Sequence, residues 1–200
     1  MTSAVLFDLG NVLFRVDFMR AFAVWSEHSG VAVDELQRRF TVGESFHRFE
    51  RGELEEVRYF EHLASELGIA LSHEQWVYGW NSIFSGVVGG LEARLSTLAE
   101  RLPIYAFTNT NATHQVVWEE LYAELLKPFR KIYVSSQIGM RKPDVDAFRW
   151  VAQDIGVAAA SVLFLDDHPD NVEGARAADM SAVHIEQPHQ VLEVIDGLIR

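Results

Sequence analysis

Short apolar runs and helically spaced apolar positions alternate along this chain, and their order carries the first information. Ala4, Val5, Leu6 and Phe7 form an unbroken apolar run that stops at Asp8, the pattern of a buried strand with a carboxylate at its carboxyl end. The pattern then changes. Phe18, Phe22 and Trp25 recur at three and four residues behind Asp17, a candidate N-cap, and Leu36, Phe40, Phe46 and Phe49 continue in the same style. Val57, Phe60, Leu63, Ala64 and Leu67 form an apolar stripe that Gly68 stops at a C′ position. Ser72 and Gln75 read as a capping box that opens a helix with Trp76, Trp80 and Phe84. Period alone therefore predicts that about 70 residues after the first strand are all helical.

From Gly89 onward a β/α rhythm takes over. A helix carrying Leu91, Leu95 and Leu98 precedes a strand from Ile104 to Phe107 that ends at Thr108 and Asn109. A helix over residues 112–126 follows, then a strand at Ile132, Tyr133 and Val134, and a helix over residues 144–155 closed by Gly156. Val162, Leu163, Phe164 and Leu165 form a strand that ends on Asp166, and Pro169 suits the first position of the next helix. A strand over 182–185 and a helix over 191–199 complete the chain. Alternation of this kind predicts an α/β fold, a Rossmann-like parallel sheet with right-handed crossovers. The helical block reads as an insertion. The expected division is a core of residues 1–13 and 87–200, and an α-helical cap of residues 14–86 over the carboxyl edge of the sheet.

Composition narrows the function. With 200 residues, 48% hydrophobic and 23% charged, the chain has the make-up of a globular protein with one ordinary core and a small accessory unit. A net charge of -12 argues against nucleic acid or an anionic membrane as partner, although a local metal ion can still draw an anionic substrate. The absence of cysteine excludes disulfides, thiolate metal sites and cysteine nucleophiles. Neither a secretory signal nor a membrane span is legible, so a cytoplasmic protein, monomeric or weakly dimeric, is expected.

In open α/β sheets ligands bind at the carboxyl ends of the strands. Asp8 ends one strand there, and Asp166 and Asp167 end another. Such carboxylates suit Mg²⁺, a hard cation that takes oxygen ligands together with substrate phosphate. Asp8 is the candidate nucleophile, able to split one displacement at phosphorus into two. Thr108 and Asn109 could hold a phosphoryl oxygen, or could simply make a turn. Lys142, within Gly139-Met140-Arg141-Lys142-Pro143, could neutralise phosphoryl charge, or could be a solvated loop lysine.

The order of these residues resembles the haloacid dehalogenase superfamily, and the resemblance covers essentially the whole chain. It implies Asp8 as nucleophile, Thr108 as the second-motif hydroxyl, Lys142 as the third-motif lysine and Asp167 as a metal-ligand acid paired with Asn171 four residues on. Asp166 is then a flanking or alternative ligand, and the main-chain carbonyl of Gly10 completes the metal set with Asp8. The motifs around Asp8, Gly43 to His47, Glu50 to Glu53, Thr108 to Asn111 and Gly139 to Pro143 look like the bacterial α-D-glucose-1-phosphate phosphatase branch. One departure is Gly10, where phosphatases of the superfamily usually carry a second Asp as general acid and base. Its loss would favour activated esters, and Asn11, His47 and His168 are candidate substitutes.

The expectation is therefore a Mg²⁺-dependent phosphomonoester hydrolase that acts through an aspartyl-phosphate on a small-molecule ester such as a hexose 1-phosphate. Thr108, Asn109 and Lys142 would bind the phosphoryl oxygens. Two rivals are a hydrolytic 2-haloacid dehalogenase and a catalytically silent module that binds a phospho-ligand. Specificity would lie in the cap, with Glu44, His47 and Arg48 as candidates.

Overall fold

The computed structural model describes residues 2–200. The first strand, β1 (Ala4–Phe7), is followed by a short β2 (Phe14–Val16) and five helices: α1 (Phe18–Ser29), α2 (Val33–Arg39), α3 (Glu44–Glu50), α4 (Glu56–Leu67) and α5 (His73–Asn81). The chain returns through β3 (Phe84–Val87) to α6 (Leu91–Arg101), β4 (Ile104–Thr108), α7 (Ala112–Leu121), α8 (Ala123–Leu126) and β5 (Lys131–Val134). It closes with α9 (Ser135–Ile138), α10 (Val145–Ile155), β6 (Val162–Asp166), α11 (Pro169–Ala177), β7 (Ser181–His184) and α12 (Gln190–Leu198).

Five strands make one parallel sheet in the order β5-β4-β1-β6-β7. β1 lies at the centre and is fully buried because helices cover both faces. Its residues alternate as a strand must: Val5 and Phe7 enter one core with Leu91, Leu95 and Trp118, while Ala4 and Leu6 enter the other with Phe148, Val151 and Phe164. The strands flanking β1 are β4 and β6, so Asp8, Thr108 and Asp166 leave the sheet side by side at its carboxyl edge.

The helices between β2 and β3 hold a separate apolar cluster around Trp25, Trp76, Trp80, Tyr59 and Phe60. Their caps follow the chain's own signals. Asp17 accepts from the Met19 amide, Gly68 closes α4 with φ 64°, and Ser72 and Gln75 form both bonds of the capping box. Two readings change. The block predicted as helical throughout begins and ends in strand, because Phe14–Val16 and Phe84–Val87 pair antiparallel. The helix expected over 112–126 breaks at Tyr122, whose φ of -118° leaves the helical region.

Two close approaches fix how parts meet. In α11 a Cβ on Gly174 would lie 2.3 Å from the Pro143 carbonyl oxygen, so glycine lets this helix pack onto the segment that carries Lys142. Gly52, at φ +70° after α3, brings the helical block against α9, and a Cβ there would lie 2.2 Å from the Ser136 carbonyl oxygen.

Candidate active site

Lys142 is the centre of the site. Its ammonium is 1% exposed and lies 2.7 Å from both Asp8 Oδ1 and Asp166 Oδ2. Burial disfavours its charge, but Asp166 and Asp8 outweigh that, and its pKa is raised. Asp8 shows the opposite balance. Burial lifts its carboxyl from 3.8 to about 7, Lys142 pulls it down, and the charges of Asp166 and Asp167 push it up again. Asp167 is also raised, first by burial and then by Asp166.

Asp166 has little capacity left. Its Oδ1 accepts from the His168 amide at 2.8 Å and from Asn171 Nδ2 at 3.0 Å, while Oδ2 accepts from Asn171 at 3.1 Å in addition to Lys142. Spacing paired Asn171 with Asp167, but the folded loop turns its amide onto Asp166. Asp166 therefore fixes Lys142 and the loop. Asp167 is held by its main chain, where its carbonyl lies 2.9 Å from His184 Nε2 at the end of β7.

Thr108 ends β4 as a buried hydroxyl in the wall of the site. Asn109 has another task. Its Nδ2 donates to the Lys142 carbonyl and its Oδ1 accepts from the Lys142 amide, both at 2.9 Å. This two-way clamp holds the lysine segment in register with β4, and it uses one of the two N–H donors of the Asn109 side-chain amide. Ser135, which the sequence did not single out, clamps the same turn: its hydroxyl accepts from the Thr110 amide and donates to the Thr110 carbonyl.

Asp8, Asp166 and Asp167 each offer an oxygen within 4.8 Å of the others. When all three carboxylates are ionised, one lysine leaves an excess of two negative charges, and this adds to burial in raising Asp8 and Asp167. A divalent cation with hard oxygen ligands fits this set. Of the three, Asp8 and Asp167 line the cavity, with Gly10 in the same wall.

Above the carboxylates lies a cavity of about 560 Å³, lined from both the sheet edge and the helical block. His47 and Glu50 reach it from α3, while Glu44 and Arg48 do not line it and pair instead with Arg51 and Glu53. Glu50 binds Arg141 at 2.9 Å, an ion pair across the two units that no local pattern announced. Burial raises Glu50 against the pull of Arg141, and burial followed by Arg141 lowers His47. Asn111 and His114 join α7 to α5: Trp80 Nε1 donates to Asn111 Oδ1, and His114 Nε2 lies 3.0 Å from the Trp80 carbonyl. Asn11, at φ 55°, accepts from the Val16 amide, and His168 Nδ1 accepts from the Asp170 amide as an N-cap. Of the three candidate proton donors, Asn11 and His168 thus carry structural bonds.

Over residues 2–179 the chain matches the family model described as a haloacid dehalogenase-like hydrolase. A sesquiterpene phosphatase of Aspergillus oryzae is 29% identical over 189 residues, which cover 91% of this chain and 89% of that protein. A D-ribitol-5-phosphate phosphatase of Bacteroides thetaiotaomicron is 24% identical, with 86% of each covered. A haloacid dehalogenase family enzyme of the same bacterium, solved with magnesium and inorganic phosphate, superposes with a TM-score of 0.79 at 23% identity, over 92% of this chain and 94% of that one. At that identity the likeness shows the parallel-sheet fold.

Proposed function

The chain belongs to the haloacid dehalogenase-like hydrolases and is a phosphatase, and on that footing we propose that it hydrolyses a small phosphate monoester through an aspartyl-phosphate on Asp8. The observation that carries this reading is the buried lysine bridging Asp8 and Asp166, with Asp167 beside them and two negative charges in excess. Mg²⁺ is the cofactor that matches the excess, held by Asp8, Asp167 and the Gly10 carbonyl, and when bound it supplies charge neutralisation between carboxylate and phosphate.

The protein's own groups define the reaction. Lys142 holds Asp8 by Oδ1 and leaves Oδ2 to attack phosphorus. As that P–O bond forms, the ester P–O bond opposite it breaks and the alcohol leaves with the electron pair. Lys142 and the Thr108 hydroxyl stabilise the phosphoryl oxygens, and the Asn109 clamp keeps the lysine in position. Water then attacks phosphorus and frees Asp8. The helical segment 14–86 acts as the cap that encloses the leaving group.

Gly10 puts no carboxyl beside the leaving oxygen, and a Cβ there would already lie 3.3 Å from Val16 Cγ2. Esters whose alcohol leaves without a proton are therefore favoured. Hexose 1-phosphates, which the sequence motifs suggest, and aryl phosphates are both esters of this kind, and His47 is a polar group on the cavity wall.

Phosphate release should depend on Mg²⁺ and vanish in Asp8→Asn, while Lys142→Ala should lose about 10²–10³ in kcat. Release of halide from 2-haloacids in chelator, with no phosphate release from any ester, would overturn this assignment. So would an inert, stably phosphorylated Asp8.

A further inference from the structure

Resting on that assignment, we propose that the leaving group is the alcohol or phenol of an apolar body, so that the substrate is a lipophilic monophosphate rather than a sugar phosphate. The division of the cavity carries this. Around Asp8 its wall is polar: Thr108, Asn109, Lys142, Asp167 and Asn171. The rest of the wall includes Val16, Phe18, Val42, Phe46 and Phe84, none of them fully buried. Val42 is 61% exposed at the rim. Val16, Phe18, Phe46 and Phe84 pack against the cores on one side and stay partly exposed on the other, so apolar surface faces a space far larger than a phosphate group requires.

The polar groups in this outer wall point to the same conclusion. Asn111 and His114 bond each other and Trp80. Glu50 and Arg141 form an ion pair. The Asn11 amide oxygen is taken by the Val16 amide. His47 remains. A hexose brings several hydroxyls, each hydrogen-bonded to water before binding, and a buried hydroxyl without a partner carries the full desolvation penalty. An apolar body meets no such penalty and removes the exposed surface of the five apolar residues from water. The rings of Phe46 and Phe84 are anchored from behind, edge-on to Trp80 and Tyr59 and to Phe14 and Tyr122 respectively, so the wall is rigid before a ligand arrives.

The missing carboxyl at Gly10 agrees with this class. A phenol leaves with less need of a proton than a simple alkanol, so an apolar aryl ester suits both halves of the site.

The test is kcat/KM, with Mg²⁺, for ethyl, butyl, hexyl and octyl phosphate, phenyl and 2-naphthyl phosphate, glucose 1-phosphate and acetyl phosphate. The alkyl series should rise by up to about fourfold per methylene until the cavity is filled, naphthyl should exceed phenyl, and both aryl esters should exceed glucose 1-phosphate. Phe46→Asn should flatten the series. Val42→Lys, an exposed change that leaves the interior intact, should lower the octyl and naphthyl esters tenfold or more relative to the ethyl ester. Mg²⁺-dependent turnover with a flat series, or with glucose 1-phosphate ahead of every apolar ester, overturns the substrate class alone. No phosphate from any compound, acetyl phosphate included, overturns the phosphatase assignment beneath it as well.

Discussion

Replacing Asp8 by Asn should make the metal-free protein more stable, and more so as pH rises. In the folded state burial and the neighbouring carboxylates lift the Asp8 pKa from 3.8 to about 7. A folded pKa above the unfolded one means that the contribution of Asp8 is most favourable below 3.8 and is lost as pH rises through about 7. At about 1.36 kcal/mol per pH unit, the raised pKa of Asp8 costs the fold about 4 kcal/mol at pH 8, where the group is ionised, and about 2 kcal/mol at pH 5, where the fold holds it protonated. Asn keeps an oxygen for Lys142 and removes the charge. Its advantage should therefore grow by about 2 kcal/mol between pH 5 and pH 8, or about 4–8 °C in Tm for a chain of this size. Urea or thermal unfolding of both proteins in EDTA at the two pH values measures it. Saturating Mg²⁺ should close the gap from the other side, since a ligand at 100 times its Kd stabilises the wild type by about 2.7 kcal/mol. A variant less stable than the wild type in EDTA at pH 8, or an advantage independent of pH, would refute this account of the charge balance.

Gly52→Ala combines a left-handed backbone with a Cβ 2.2 Å from the Ser136 carbonyl, so it should push the cap off α9 and raise KM several-fold with a modest loss of Tm. Buried His114, its pKa lowered by burial to about 3, contributes stability that is complete above 6.5 and is lost as pH falls toward 3. Chemical denaturation from pH 6.5 to 4.5 should show a decline of about 1.4 kcal/mol per pH unit from this group, and His114→Phe should flatten that limb. Asn109→Ala unclamps the Lys142 main chain, leaving its amide and carbonyl without these partners, and should lower kcat tenfold or more while circular dichroism stays native. An unchanged kcat would show that the clamp does not position the lysine.

Much of the fold was legible because parallel strands buried on both faces read as apolar runs, and their ends identify the edge where function sits. Asp8, Thr108 and Asp166 could be placed from that rule alone. Helix ends at Asp17, Gly68 and Ser72 were legible because caps are local chemistry. What escaped was non-local. β2 and β3 are short, and their pairing spans the whole helical block, so no local period marks them. The Glu50–Arg141 pair joins residues 91 apart, and the Ser135–Thr110 bonds join residues 25 apart. Asn109 and Asn171 were noticed as site residues, but which partner each amide would choose depended on loop geometry. Asn109 turned to the Lys142 main chain and Asn171 to Asp166. The outer wall of the cavity was hidden for the same reason, since its apolar residues come from separate elements and resemble interior positions until the fold leaves them facing a void.

The central position of β1 also sets an order of events during synthesis. The strand made first needs partners made late: residues from Ile104 on one side and from Val162 on the other. Until the first has left the ribosome, Ala4 to Phe7 is an unpaired apolar strand with two open edges, and until the second follows one edge stays open, a species prone to aggregate. The five helices, with contacts largely among themselves, can form in the interval and occupy the chain between the first strand and its first partner. Fragments that stop before β6 would lack one side of the sheet as well as Asp166 and Asp167. The last carboxylates of the site and the last neighbour of the central strand therefore arrive together, and a chain unable to complete its sheet is also unable to assemble its charge cluster.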